Sequence, residues 1–94
     1  MKVKGFIWLE AIVEKLATKH QVEPYEVEEM FAGQPHFRFM DKGTRANEDV
    51  YAALGRTDAG RYLIAFFIRK LDGSALILSS RDMVTNEKKR YARR

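Results

Sequence analysis

The apolar positions of this chain change period after its first third. Phe6-Ile7-Trp8 reads as a short strand. After it, Leu9, Ile12, Val13, Leu16 and His20 recur at i, i+3, i+4, i+7 and i+11, one stripe of an amphipathic helix. Gln21-Val22 interrupts the stripe. Pro24 then suits the first position of a second helix, where its missing N–H has no helical partner, and Glu23 falls at the cap. Val22 and Val27 have the spacing of a hydrophobic staple, and Glu26 is placed to reach back to the cap amide. Val27, Met30 and Phe31 form the buried face of this helix, and Gly33 ends it.

Beyond Gly33 the pattern becomes strand-like. His36 to Met40 alternates weakly, with Phe37 and Phe39 on one side, and Gly43 to Asn47 reads as a loop. Asp49 to Arg56 is a strand, followed by a tight turn, Asp58-Ala59-Gly60, with glycine at the left-handed position. Arg61 to Lys70 contains seven uninterrupted apolar residues, Tyr62 to Ile68, as expected for a central strand covered on both faces. Asp72-Gly73 is a hairpin signal, and Ser74 to Ser80 returns antiparallel. The last helix is predicted to begin near Thr85 as its cap, with Glu87 in the first turn and Arg93 and Arg94 in the last. The order predicts an α+β fold: two N-terminal helices packed on a three- to four-stranded antiparallel sheet, with a C-terminal basic helix. No repeat, low-complexity stretch or linker divides the chain, so residues 1–94 are expected to form a single domain.

Composition adds constraints. With 46% hydrophobic and 32% charged residues, a soluble globular protein is expected. No cysteine is present, which excludes disulfides and thiolate metal sites and suits a cytoplasmic location. No apolar run approaches the roughly eighteen residues of a membrane span. The start, Met1 to Glu10, meets an acid before any adequate apolar core and is not expected to be a signal peptide.

Charge is uneven along the chain. Residues 81–94 hold six Lys/Arg against two Asp/Glu, which accounts for the whole net charge of +4. Residues 10–30 hold six Glu against two Lys. A basic terminal helix on a neutral body suggests a polyanion surface, most simply for nucleic acid, although its cations would also favour its own negative dipole end. The acidic helices suggest a second, separate partner surface.

The series of pieces along the chain resembles the BrnT-type toxins of bacterial type II toxin–antitoxin systems, a branch of the RelE-like fold. The matching pieces are Phe6 and Trp8, the Lys19-His20 pair closing the first helix, and Glu28 to Phe31 ending the second. Leu54-Gly55-Arg56-Thr57, Gly60-Arg61-Tyr62, Ser79-Ser80-Arg81-Asp82, Glu87 and Arg90-Tyr91 complete the series. One residue departs from the pattern: Gln21 stands where the family usually has Gly after Lys-His. Left-handed capping is cheaper for Gly than for Gln, so a differently shaped helix end is expected here. The resemblance implies a RelE/ParE-like toxin that cleaves mRNA, inhibits translation and is neutralised by a ribbon-helix-helix DNA-binding antitoxin. Ribosome dependence is left open.

Metal-independent RNA cleavage needs a base near the 2′-hydroxyl, an acid near the 5′-oxygen and cations around the phosphorane. No metal or other cofactor is expected, because no carboxylate pair, metal-ligand spacing, Gly-rich phosphate loop or serine–histidine signature is visible in the sequence. Arg81, at the end of the last strand, is the main phosphate candidate, since a planar guanidinium keeps its charge and matches phosphate in a fork; an ion pair with Asp82 or a helix-1 Glu is its alternative. His20 is the candidate for proton transfer, with a satisfied core histidine as its alternative. His36, beside Pro35, is weaker. Arg56 joins Arg81 and His20 as the third catalytic candidate, and Lys19, Arg61, Lys88, Lys89, Arg90 and Tyr91 are the RNA-binding candidates. Because Lys88, Lys89 and Arg90 are adjacent, at most two of them can face RNA together. Alternatives to a nuclease are a non-catalytic nucleic-acid- or antitoxin-binding module and, through fold relatives, a gyrase inhibitor.

Overall fold

The computed structural model describes residues 1–43 and 48–93, so the predicted loop beyond Gly43 and the position of Arg94 lie outside the described residues. The elements are β1 (Gly5–Ile7), α1 (Glu10–Lys19), α2 (Pro24–Ala32), β2 (His36–Asp41), β3 (Val50–Arg56), β4 (Tyr62–Arg69), β5 (Ser74–Asp82) and α3 (Thr85–Arg93). At α2 the local chemistry acts as its sequence suggests. Pro24 opens the helix, the Glu23 side chain and the Glu26 side chain form a reciprocal capping box, and Val22 and Val27 are both fully buried.

The fold is α+β, and the sheet is larger than the pattern predicts. Its order is β1-β5-β4-β3-β2: β1 joins β5 in parallel and the other pairs are antiparallel. The apolar strand β4 is its centre, paired on both sides, as a residue run without polar alternation requires. The short β1 reaches the far edge only because α1 and α2 separate it from the hairpins, a pairing that local pattern does not reveal.

Strand alternation divides the interior into two clusters on opposite faces. Leu16, Val27 and Met30 from the N-terminal helices pack on Ala53, Leu63, Ala65, Phe67, Ala75 and Ile77. On the other face, Met83 and Tyr91 close over Ala52, Leu54 and Ile64, so α3 and the N-terminal helices sandwich the sheet. Each fully buried Leu, Phe or Met side chain contributes about 1.5–3 kcal/mol. Phe31 sits in an aromatic group, its ring centroid 5.1 Å from Phe6 and 5.3 Å from Phe67. Gly55 is required where α2 crosses β3, because a Cβ there would lie 2.5 Å from Met30 Cγ.

The cover supplied by α3 is partial. Val50, Ile68, Leu76 and Ile7 are in register across four strands on the same sheet face, outside the cluster that α3 covers, and all are partly or fully exposed. Among the described residues, no helix is long and apolar enough to cross a membrane.

Candidate nucleic-acid interface

Register decides which cations meet. Arg81 pairs with Ile64, Arg38 with Ala52, and Arg56 with Tyr62. Since Ala52, Ile64 and Tyr62 face α3, the three arginines do too, each from a different strand. From α3 itself come Lys88 and Lys89.

Arg56, Tyr62, Lys88, Lys89 and Tyr91 line an open groove of about 580 Å³ between the ends of β3 and β4 and the flank of α3. The Arg56 guanidinium carbon lies 4.6 Å from the centre of the Tyr62 ring, and Lys88 Nζ lies 5.6 Å from it. Arg56 also donates to the Gly60 carbonyl at 3.4 Å. Tyr91 packs edge-on to Tyr62, with centroids 6.1 Å apart, and is only 8% exposed. Its ring therefore forms the floor of the groove. Arg90 is exposed and outside the groove lining, consistent with the helical spacing that separates it from Lys88 and Lys89.

Arg81 is engaged rather than free. Its Nη1 and Nη2 donate to the two carboxylate oxygens of Glu87 at 2.8 and 3.0 Å, and Nη1 also donates to the Asp82 carbonyl at 3.1 Å. The guanidinium lies 5.6 Å from the Phe66 ring. Glu87 Oε1 in turn accepts from the Val84 N–H at 2.9 Å, so it caps α3 while it holds Arg81. The Thr85 cap expected from sequence is thus displaced by one residue: Thr85 is the first helical residue, and the cap amide is that of Val84. The bond from Arg81, more than any other influence, holds the Glu87 carboxyl below its ordinary range; burial opposes it, and Val84 and the charges of Arg81 and Arg38 add to it. The same pair raises Arg81 further above its already high value against the opposing effect of burial. The partner of Arg81 is therefore Glu87, neither Asp82's carboxylate nor a helix-1 Glu.

The other expected site residues lie on the helix layer, on the opposite side of the sheet. Arg61 donates to Asp82 Oδ1 at 2.7 Å, to Glu26 at 3.1 and 3.2 Å, and to the carbonyls of Gln21 at 2.7 Å and His20 at 2.9 Å. It clamps the α1–α2 junction to the sheet, and hydrogen bonds to Asp82 above all raise its pKa. His20 is the residue that closes α1, and Lys19 is exposed beside it. The structure therefore does not bring His20, Lys19 and Arg61 together with Arg56 and Arg81. Alternation is the cause, because Arg61, just before β4, points away from the face that Arg56 shares with its partner Tyr62. The expected reshaping of the α1 end is also corrected. Gln21 adopts the left-handed conformation (φ 52°) that Gly would have taken, and Gln21 Nε2 donates to the Thr18 carbonyl at 3.1 Å.

Two residues on the α3 face extend the candidate set. Arg38 comes from the weakly alternating segment, on the side opposite Phe37 and Phe39, and that parity is the signal that finds it. His36 shares its row with Leu54, Ile64 and Arg81, which places the His36 and Arg81 backbones three strand spacings apart, about 14 Å. Among the described residues, no three His, Asp or Glu side chains group as metal ligands.

No protein-family model matches the chain, and no curated protein matches it. The chemistry of the interface is its own: guanidinium and ammonium groups beside a half-buried aromatic ring, suited to a phosphate backbone.

Proposed function

We propose that the chain is the toxin of a type II toxin–antitoxin system, of the BrnT type, and that it acts on RNA through the α3 face of its sheet. The observation that carries this reading is the groove in which Arg56 from β3 and Lys88 from α3 lie against the Tyr62 ring and Lys89 joins the lining. Cations from two separated stretches of chain in one groove fit a single-stranded polyanion better than a helix that merely favours its own dipole. In this reading Arg56, Lys88 and Lys89 hold the backbone, a base stacks against Tyr62, and Arg81 stabilises charge at the scissile phosphate. A ribbon-helix-helix antitoxin neutralises the protein by covering the basic groove.

The experiment is cleavage of labelled mRNA by purified protein in EDTA, beside Arg56→Ala and Arg81→Ala. Cleavage by the parent and its loss in both variants is the expected result. Equal cleavage by all three proteins removes this face from the mechanism. One observation favours a second reading, RNA binding without cleavage: the Arg81 guanidinium is already satisfied by Glu87. Tight, salt-sensitive binding with no cleavage selects that reading.

A further inference from the structure

We infer that the Arg81 guanidinium is an oxyanion site whose resident occupant is the chain's own Glu87 carboxylate, so that phosphate must displace an internal anion to reach Arg81. This deepens the proposed function, on which its role toward RNA rests. Arg38 of β2 lies on the same sheet face, with β3 and β4 between it and Arg81 of β5. The two backbones are three strand spacings and two residues apart, about 16 Å. Between them lie Ala52, whose small side chain leaves room above β3, and Phe66, against which Arg81 lies.

The carboxylate uses the fork of Arg81 completely, with bonds of 2.8 and 3.0 Å in the parallel two-bond geometry that guanidinium also offers to phosphate. A carboxylate and two oxygens of a phosphate present the same acceptor pair. The occupant is tethered on a helix that rests on the sheet chiefly through Tyr91, beside Met83 of the preceding turn. Rotation of the Glu87 side chain away from Arg81 frees the site at the cost of the bond to the Val84 N–H, while Tyr91 keeps α3 seated. Glu87 is accordingly a gating residue rather than a catalytic one.

Glu87→Gln separates gating from capping, because glutamine at this position still accepts the Val84 N–H while removing the competing charge. Inorganic phosphate is titrated into the parent and the Gln variant, following the arginine Nε–H signals by proton–nitrogen NMR, with Arg81 assigned by its absence in Arg81→Lys. The expected result is roughly tenfold tighter phosphate binding at Arg81 in the Gln variant, the scale of one charge-assisted contact. Unchanged phosphate affinity in Glu87→Gln overturns the inference. If the Gln variant fails to fold, Glu87→Asp, which keeps the charge but withdraws it from Arg81, is held to the same tightening. A second arm titrates a ten-nucleotide single-stranded RNA, whose affinity is expected to rise in the Gln variant by a similar factor, because its phosphate no longer displaces an internal anion. Phosphate affinity that rises while neither protein binds RNA upholds the anion site and defeats the RNA reading.

Discussion

Single residues settle questions of conformation and charge that side-chain type leaves open. Gln21 sits at φ 52°, a conformation in which glycine avoids the steric cost that a Cβ imposes. Gln21→Gly is therefore expected to stabilise the protein by about 0.5–1 kcal/mol, less what the bond to Thr18 contributes, and to raise the thermal midpoint by a few degrees; an unchanged or lowered midpoint contradicts this. Gly55→Ala is expected to cost about 1–3 kcal/mol by driving a methyl group into buried Met30, measurable by urea unfolding. Glu87 gives a pH signature. Its folded pKa is lowered, so the stability it contributes is complete above the unfolded value of about 4.3 and is lost as pH falls through the folded value. Glu87→Gln should flatten the acid limb of the stability curve in that window and leave its shape near neutral pH unaltered.

At the scale of elements, local grammar was widely legible. The Ile12–His20 part of the first stripe, the Pro24 start, the Val22–Val27 staple, the Gly60 and Gly73 turns and the all-apolar β4 each belong to a short stretch whose chemistry stands alone, whereas Leu9, expected on the stripe, caps α1 and is 50% exposed. Partners distant in sequence were not legible. The parallel pairing of three-residue β1 with β5, and the placement of α3 on the face opposite α1 and α2, depend on the whole fold rather than on any window. The candidate site divides in the same way. Arg56, Arg81, Lys88 and Lys89 share a face, whereas Arg61, five residues from Arg56, points to the other and serves as a structural clamp. Arg61→Ala is expected to cost about 2 kcal/mol, since several charge-assisted bonds to the α1–α2 junction vanish, while leaving RNA affinity nearly unchanged. A large loss of RNA binding without loss of stability would place Arg61 in the interface after all.

For the whole molecule, the two surfaces suggested by charge fall on opposite sides of one sheet. The acidic helices cover one face, and the cations of β2, β3, β5 and α3 gather on the other. The central claim is that this second face, not basic charge in general, grips a phosphate backbone. Fluorescence anisotropy of a ten-nucleotide single-stranded RNA, followed across salt concentration, tests it most directly when Lys88→Ala/Lys89→Ala is compared with Lys15→Ala/Lys19→Ala, which removes the same charge from the helix layer. About four neutralised phosphates give the parent a slope near −2.8, and losing two contacts brings the α3-face variant to about −1.4 while the helix-layer variant stays near the parent. Equal slopes and equal affinity losses in the two variants would contradict the account.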